Sequence, residues 1–326
     1  MKVIIYVPLP RGTTRGNWIT ALRWADILRR LDHPVTVLDP SEFDAAIADD
    51  CDLLIALHAR RSHAVVKAYR EASAGRPVVV ALTGTDLQSD FKSGTERHEM
   101  VLQSLELADR IVLLEPEGLK LLPSTLRHKC SVILQSSSPV PDPPAPDPNH
   151  FQIAVLAHLR EVKDPFLIAK AAQLLPVESR IRILHLGGAT SERWESLAVK
   201  WTQECDRYEW RGAVPHAQAR ETLAASHLTV LTSRQEGGPS VFSEASVCGV
   251  PIVSTRIDAA IGILSSGYPG LFDVGNPNQL ADLLWKAESD AAFYRQLVDA
   301  TVGLRKQFSY EAEAQSWRRL MACFSA

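Results

Sequence analysis

Residues 236–251 read Glu236-Gly-Gly-Pro-Ser240-Val-Phe-Ser-Glu244-Ala-Ser-Val-Cys-Gly249-Val-Pro251, and they carry the strongest structural signals in the chain. The apolar run 228–231 before it predicts a buried strand, and the Gly-Gly-Pro sequence predicts a tight turn. Ser240 is predicted to N-cap a helix that ends at Gly249, and a second strand is predicted directly afterwards. A strand, a turn, a helix and a strand in this order are typical of an α/β fold with a parallel sheet.

The same stretch predicts a binding site for a nucleotide sugar. Free N–H groups at the helix start and the positive end of the helix dipole favour a phosphate-bearing ligand. Glu244 lies one turn inside the predicted helix, where it could accept hydrogen bonds from a ribose diol, and Glu236 precedes the turn and could face the sugar. The alternative is a glycine-rich turn with two solvated glutamates. The combination of strand, turn, helix and carboxylates favours the ligand site over that alternative.

The composition is that of a soluble globular protein of two domains. The chain has 326 residues, a hydrophobic content of 46%, a charged content of 22% and a net charge of −3, which indicate no preference for nucleic acid or an anionic membrane. The run from Met1 to Pro8 is too short for a signal peptide, and no run approaches the about 20 apolar residues of a membrane span, so we expect a cytoplasmic location. The cysteines are scattered singly, so we expect reduced thiols, no disulfide framework and no metal site.

Short β-branched runs alternate with helical stretches, which predicts two doubly wound parallel sheets. The proline-rich run from Pro139 to Pro148 cannot continue a strand or a helix. We therefore predict an N-terminal Rossmann-like domain at 1–140, a linker at 141–150, a C-terminal Rossmann-like domain at 151–308 and a terminal helix at 309–326. The terminal helix carries an apolar stripe and could pack back on the N-terminal domain. The stripe consists of Trp317, Leu320, Met321 and Phe324.

Ligands of doubly wound sheets bind beyond the carboxyl ends of the strands, so the loops after each strand are candidate site segments. In the first half these loops are Pro8 to Trp18, with Arg11, Gly12, Arg15, Gly16 and Asn17, then His58-Ala-Arg60-Arg61-Ser62, and Thr83-Gly84-Thr85-Asp86. In the second half the loop after the first strand carries His158, Arg160 and Lys163. Arginine forks suit phosphate-like oxyanions because they donate two parallel hydrogen bonds. Plain or solvated basic turns are the alternative at each position.

These segments together resemble the retaining glycosyltransferases of the two-Rossmann GT-B architecture, in the branch with an E-x7-E motif. The resemblance rests on the order of the α/β halves, the hinge, the His158 to Asp164 segment, the His185-Leu-Gly187-Gly188 turn, Arg211 to Val214, and Glu236 to Glu244. It implies an α/β fold of two Rossmann-like domains whose parallel sheets face each other across a cleft. Four segments resemble the selenosugar synthases of selenoneine biosynthesis more closely. They are Leu54 to Ser62, Leu82 to Leu87, His158 to Asp164 and Ser233 to Gly238.

The resemblance implies a role for individual positions. The catalytic positions would be Glu236, Lys163, Arg160 and His158. The sugar donor would contact Gly16, Arg211, Val214, Gly237, Gly238, Pro239, Ser240, Val241 and Glu244. The acceptor would contact Arg15, Asn17, His58, Arg60, Arg61, Thr83, Gly84, Thr85 and Asp86.

Two positions depart from the pattern of the broad family. His158 stands where that family usually has an arginine, which leaves open whether His158 or Arg160 contacts the diphosphate. Thr83 stands where many members have a histidine, which suggests an unusual acceptor.

The narrower resemblance implies transfer of a sugar from UDP-GlcNAc or UDP-Glc to the selenium of selenophosphate, without a cofactor or metal. Selenium is already an anionic, polarisable nucleophile, so this acceptor needs cations more than a general base. An ordinary retaining glycosyltransferase acting on a hydroxyl would need a base, for which Asp86 is the obvious candidate in the first half. A non-catalytic nucleotide-sugar-binding protein is a third possibility. The sequence predicts no nucleic-acid or membrane partner and leaves the oligomeric state open.

Overall fold

The computed structural model describes residues 1–11, 16–44, 50–73, 75–91 and 94–324. Its contacts divide the chain into two compact units. Unit 1 comprises Met1–Gln135, Glu236–Gly238 and Tyr310–Ala326, and unit 2 comprises Ser136–Gln235 and Pro239–Ser309. The short segment with Glu236 is therefore assigned to unit 1, whereas the residues on both sides of it belong to unit 2.

The described residues form strands and helices in alternation. The strands are β1 (Val3–Tyr6), β2 (Val35–Leu38), β3 (Leu53–Leu57), β4 (Val78–Leu82), β5 (Arg110–Leu113), β6 (Cys130–Val132), β7 (Phe151–Leu156), β8 (Ile181–Leu186), β9 (Tyr208–Trp210), β10 (Leu228–Leu231), β11 (Ile252–Thr255) and β12 (Leu271–Phe272). The helices are α1 (Gly16–Arg30), α2 (His63–Ala72), α3 (Glu96–Leu107), α4 (Gly118–Leu121), α5 (Ser124–Arg127), α6 (Leu167–Gln173), α7 (Glu192–Glu204), α8 (His216–Ala224), α9 (Ser240–Cys248), α10 (Asp258–Leu264), α11 (Pro277–Ser289), α12 (Ala291–Gly303) and α13 (Tyr310–Ala322). Single turns of other helix types occur at Asp86–Asp90, Glu161–Lys163 and Arg305–Phe308.

Unit 1 contains a parallel sheet of six strands in the order β2-β1-β3-β4-β5-β6. Strands β1, β3 and β4 are buried along their whole length, as expected for runs of Val, Ile and Leu that are covered on both faces. The strand order reverses between β1 and β3, and the loops at such a reversal point form the ligand site of doubly wound sheets. In unit 1 these are the loop that begins at Val7 and the loop that begins at His58.

The last helix, α13, completes the core of unit 1. Trp317 is fully buried and packs edge-on against Trp24 of α1, with ring centroids 4.8 Å apart. Leu320 and Met321 are also buried, and Phe324 packs against the same cluster. The predicted apolar stripe is thus confirmed, and it lies against the face of the sheet that α1 covers.

Unit 2 contains a second parallel sheet of six strands, in the order β12-β11-β10-β7-β8-β9. Its reversal point lies between β7 and β10, so the loops after these two strands are placed to form a site. The predicted α/β fold with two Rossmann-like parallel sheets is confirmed. The apolar run at 132–134 predicts a strand there, but β6 spans Cys130–Val132, and no sequence pattern predicts the two-residue strand β12. In the described part of the chain, no helix has the length and apolar character needed to cross a membrane.

Candidate active site

Lys163 lies at the reversal point of the unit 2 sheet, on the short turn that follows β7. The segment directly after β10 makes three bonds to this turn. Thr232 Oγ1 donates to the Lys163 carbonyl at 2.8 Å, Arg234 N–H donates to the Val162 carbonyl at 2.8 Å, and the Arg234 guanidinium pairs with Asp164 at 2.7 Å. Asp164 has a φ of 42°, so its ion pair also supports a left-handed backbone that few side chains adopt. Lys163 is therefore carried on a fixed backbone.

His158, also after β7, faces the glycine turn after β8. Gly188 N–H donates to His158 Nδ1 at 3.0 Å. An N–H group can only donate, so Nδ1 carries no proton in this arrangement and the proton of the ring lies on Nε2. His158 is then a neutral hydrogen-bond donor rather than a cation. Arg160, two residues later, is exposed and supplies a permanent charge in the same loop.

Gly187 allows this close approach of the loops after β7 and β8. A Cβ atom at Gly187 would lie 1.9 Å from the Ala157 carbonyl oxygen, so no other residue fits. The Gly187 backbone is further fixed by its N–H bond to the Gly212 carbonyl and by Trp210, whose ring nitrogen donates to the Gly187 carbonyl, each at 2.8 Å. The turn at Gly187 and Gly188, which was quoted for the family resemblance, therefore packs against the loop after β7 and sets the position of His158.

His185 supports the same loop from inside the sheet. It is fully buried, Nδ1 contacts the Tyr208 hydroxyl at 2.8 Å, and Nε2 contacts the Ala157 carbonyl at 2.9 Å. Burial lowers the pKa of His185 from its ordinary 6.5 to about 4, because the charged ring would lose its hydration.

We expect the free energy of unfolding to decrease as the pH is lowered, because of His185. Between about pH 6.5 and pH 4 the unfolded chain binds a proton at this ring and the folded chain does not, so protonation favours unfolding. The free energy of unfolding should drop by about 2 kcal/mol from pH 7 to pH 5 on account of this group. Urea unfolding of the wild type and of His185→Gln at both pH values measures the difference, since glutamine does not titrate. Equal pH dependence in the two proteins would contradict the assignment.

Glu244 lies in the second turn of α9 and is 7% exposed. Its Oε1 atom lies 3.1 Å from Nε2 of His216 at the start of α8. The predicted N-cap was wrong, because Pro239 occupies that position and Ser240 is the first helical residue, without a side-chain cap bond. The helix does end at Gly249, whose φ of 75° provides the left-handed cap.

The other predicted donor contacts of unit 2 lie near the same loops. Arg211 is exposed and pairs with Glu209 at 2.7 Å, and Val214 is half-buried. Pro239 and Val241 are buried at the start of α9.

The turn Glu236–Gly238 lies in unit 1 against the end of β4. A Cβ atom at Gly237 would lie 2.6 Å from the Gly84 nitrogen, and one at Gly238 would lie 2.4 Å from Leu114 Cβ. Both glycines are therefore needed for close approach, and the Gln135 side chain additionally donates to the Gly238 carbonyl at 2.8 Å. Glu236, a candidate sugar contact, is thus carried by a turn that touches the Thr83-Gly84 segment, a candidate acceptor contact.

Asp86 is fully buried and both of its carboxylate oxygens accept backbone bonds. The N–H groups of Gly84, Ala59 and Thr83 donate to it at 2.8, 3.0 and 3.3 Å. Asp86 therefore ties the loop after β4 to the loop after β3. It holds the backbone of the candidate acceptor segment rather than presenting an open oxygen.

His58 lies in the same cluster and is 4% exposed. Its φ of 67° is in the left-handed region, which is strained for a non-glycine residue and is typical of functional sites. Nε2 lies 3.2 Å from the Thr85 hydroxyl, and Nδ1 lies 3.8 Å from Asp86 Oδ2, beyond hydrogen-bond distance. The structure thus brings the His58 and Thr83–Asp86 segments together.

The candidate cations of unit 1 have different surroundings. Arg60 Nε donates to the buried Asp90 at 2.7 Å, whereas Arg61 is exposed. Arg11 pairs with Glu42 at 2.7 Å. Gly16 and Asn17 begin α1, and Arg15 and Gly12 lie outside the described residues. No group of three or more His, Cys, Asp or Glu side chains in the described ranges is arranged to hold a metal ion.

Sequence reasoning missed the residues that support the site through long-range bonds. His216 contacts Glu244, Arg234 and Thr232 hold the Lys163 turn, and Gln135 holds Gly238. Arg234 lay inside a segment quoted for the resemblance, so it could have been singled out. The others have no local signature, because their partners are distant in the chain.

Comparison with known proteins identifies the family. Residues 141–312, more than half of the chain, match the family model described as glycosyl transferases group 1. The chain is 28% identical over 152 residues to the gpi3 subunit of phosphatidylinositol N-acetylglucosaminyltransferase of Schizosaccharomyces pombe, covering 46% of this chain and 33% of that protein. It is 26% identical over 190 residues to a D-inositol 3-phosphate glycosyltransferase of Segniliparus rotundus, covering 55% and 41%. The match thus spans less than half the length of these curated relatives.

Solved structures share the whole fold at low sequence identity. HepE of Anabaena, solved with UDP and glucose, superposes with a TM-score of 0.79 at 17% identity, covering 99% of this chain and all of that one. The sucrose-phosphate synthase of Thermosynechococcus elongatus gives a TM-score of 0.77 at 15% identity with the same coverage. Both comparisons concern the arrangement of the backbone and agree with the GT-B architecture of two Rossmann-like domains. By its match to the family model, the chain belongs to the glycosyl transferases of group 1.

Proposed function

We propose that this protein transfers GlcNAc or Glc from a UDP-sugar to the selenium of selenophosphate, giving a selenosugar for selenoneine biosynthesis. Family membership supports the transfer of a sugar. Among similar structures, HepE of Anabaena was also solved in complex with UDP-glucose, which supports a UDP-linked donor. The four segments that resemble selenosugar synthases support the acceptor. We place this reaction in the cytoplasm.

The donor would bind mainly to unit 2. Glu244 would accept hydrogen bonds from the ribose, and His216, 3.1 Å from one of its oxygens, would orient the carboxylate for this role. Lys163 and Arg160 would neutralise the diphosphate, and His158 would donate its Nε2 proton to a phosphate oxygen. Such fixed donors stabilise the charge that builds on the leaving diphosphate.

The observation that carries the choice of acceptor is the environment of Asp86. A hydroxyl acceptor must lose a proton, and Asp86 was the candidate base for that step. Both of its oxygens are occupied by backbone N–H groups in a fully buried position. An acceptor whose nucleophilic atom is already anionic needs no base, and selenophosphate is such an acceptor.

The proposed step is a displacement at the anomeric carbon. An electron pair of selenium forms the carbon–selenium bond, the bond from that carbon to the β-phosphate oxygen breaks, and UDP leaves with that electron pair. The product is a sugar whose selenium still bears the phosphoryl group. Water then cleaves the phosphorus–selenium bond, which releases inorganic phosphate and the free selenosugar.

A second candidate is an ordinary retaining glycosyltransferase with a hydroxyl acceptor. The strained, buried His58, whose Nε2 lies 3.2 Å from the Thr85 hydroxyl, favours it, because a histidine can act as a general base. A third candidate, a nucleotide-sugar-binding protein without turnover, would use the donor side alone.

One experiment separates the three candidates. Purified protein is incubated with UDP-GlcNAc or UDP-Glc, with and without selenophosphate, and the products are analysed by mass spectrometry. A selenium-bearing sugar that requires both substrates supports the proposal. UDP release with a hydroxyl acceptor but not with selenophosphate supports the second candidate, and UDP-sugar binding without any product supports the third.

EDTA should leave the rate unchanged. The proposed reaction uses the charges of Lys163 and Arg160 on the diphosphate, where many sugar transferases would need a divalent ion. Rates measured after dialysis against EDTA, with and without added Mg²⁺ or Mn²⁺, check this. Activity that returns only when the metal is restored would contradict the metal-free mechanism.

Arg61→Ala should raise the KM for selenophosphate about tenfold and leave the KM for the sugar donor nearly unchanged. A charge-assisted hydrogen bond to an oxyanion contributes about 1.5–3 kcal/mol, of which water replaces a part. Arg60→Ala should act in the same direction, but it also removes the ion pair that Arg60 makes with the buried Asp90. Arg97→Ala, an exposed arginine on α3, is the matched control. A parallel rise in both KM values would contradict the acceptor role.

A further inference from the structure

Gln135 is a buried glutamine in unit 1 whose amide makes three hydrogen bonds. Its Oε1 accepts from the Thr20 hydroxyl at 2.8 Å and from Arg23 Nη2 at 2.9 Å, and its Nε2 donates to the Gly238 carbonyl at 2.8 Å. The Arg23 guanidinium can only donate and the Gly238 carbonyl can only accept, so these two partners fix the orientation of the amide. The bond to Gly238 is therefore specified by the surroundings of Gln135.

The partners of Gln135 are themselves held by the last helix. Arg23 Nε donates to Glu313 Oε2 at 2.9 Å, and the Trp24 ring nitrogen donates to Glu313 Oε1 at 2.8 Å. Glu313 is 1% exposed, so this carboxylate and Arg23 form an ion pair that is mostly removed from water. Burying such a pair costs desolvation free energy, and a well-attested use of one is to fix a single geometry.

The Gly238 carbonyl controls the backbone conformation at the end of the Glu236–Gly238 turn. Glycine has no side chain to restrict its backbone, and the next residue, Pro239, has no N–H. The carbonyl oxygen is therefore the one hydrogen-bonding group of the peptide that joins them. A hydrogen bond that holds this oxygen therefore also holds the plane of that peptide, and with it the backbone of the Glu236–Gly238 turn.

We propose that Gln135 is a positioning residue for sugar transfer. Through the Gly238 carbonyl it holds the Glu236–Gly238 turn in the geometry that the transferred sugar requires, and through Arg23 it ties that turn to Glu313 on α13. This inference rests on the proposed sugar transfer. It concerns the transition state rather than nucleotide affinity, because the proposed nucleotide contacts, Glu244 and Lys163, belong to unit 2.

Three variants isolate the bond to Gly238. Gln135→Glu keeps an oxygen for Thr20 and Arg23 but replaces the donor at Gly238 with a second acceptor, which repels the carbonyl. Gln135→Met keeps the approximate volume and removes all three bonds. Thr20→Val removes one bond to the same glutamine and leaves the donation to Gly238 intact, so it is the matched control for loss of a buried hydrogen bond.

The kinetic result expected is a split between turnover and binding. Gln135→Glu and Gln135→Met should lower kcat for the UDP-sugar at least tenfold, with the Kd of UDP measured by calorimetry within about twofold of the wild type. Thr20→Val should keep kcat within about twofold. Values of kcat within twofold of the wild type for both Gln135 variants would overturn the inference.

A second readout needs no substrate. In protein labelled with ¹⁵N-glycine, the order parameters of Gly237 and Gly238 should fall from about 0.85, typical of rigid backbone, to below about 0.6 in both Gln135 variants and stay high in Thr20→Val. Unchanged order parameters would also overturn the inference. A wild-type protein that transfers no sugar refutes the proposed function alone, and the order parameters then decide the role of Gln135.

Discussion

Gly237→Ala is expected to lower kcat/KM for sugar transfer by about 100-fold or more. The added Cβ would lie 2.6 Å from the Gly84 nitrogen, 2.7 Å from its Cα and 2.8 Å from the Thr83 carbonyl carbon. These are backbone atoms that Asp86 anchors, so the turn with Glu236 must move instead. A displacement of about 1 Å at a catalytic group can cost about 100-fold in rate.

A matched substitution controls for the general cost of replacing a glycine. Gly267 has no atom within 4 Å of the place where a Cβ would be added, so Gly267→Ala should retain the wild-type rate. Steady-state kinetics and thermal melting of both variants make the comparison. A Gly237→Ala protein with normal kcat/KM would show that the turn is not held against Thr83-Gly84 during transfer.

Glu244→Ala should weaken UDP binding by about 1–3 kcal/mol, which is roughly 5- to 150-fold in Kd. The buried carboxylate is held by His216 on one side, so its second oxygen is oriented before the ligand arrives. Loss of a preorganised, charge-assisted acceptor removes ribose bonds that the smaller side chain cannot replace.

Calorimetric titration with UDP measures this effect directly. Glu195→Ala, which removes an exposed glutamate of α7 in the same unit, is the control for a change in net charge. Equal UDP affinity in Glu244→Ala and the control would place the ribose elsewhere.

The strands of both sheets could be predicted because their sequences are short runs of Val, Ile and Leu between helical segments. Strand β12 has two residues, which is too short for any periodicity to register. Ser240 looked like an N-cap because serine commonly occupies that position, but the extended Pro239 precedes the helix and takes the place instead. Local patterns thus determine which element forms, and the neighbouring residue decides its boundary.

The candidate site was less predictable than the fold, because its supporting bonds join distant residues. Asp86 looked like an open carboxylate, and only the folded chain brings the Ala59 N–H group to it. The sequence predicts a tight turn at Gly237 and Gly238 and a contact of both glycines with the sugar donor. Because these glycines have no side chain, the turn can approach Gly84 and Leu114 closely. No pattern in the sequence predicts this contact between distant residues.

The return of the last helix to unit 1 has a consequence for the order in which the chain folds during synthesis. Most of unit 1 precedes unit 2 in the sequence, yet its core lacks Trp317, Leu320 and Met321 until unit 2 has been translated. At about 5–20 residues per second, a ribosome needs on the order of ten seconds or more to reach them after Gln135. We therefore expect unit 2 to fold first. Until α13 has been made, the apolar residues around Trp24 remain exposed, and exposed apolar surface is what chaperones bind.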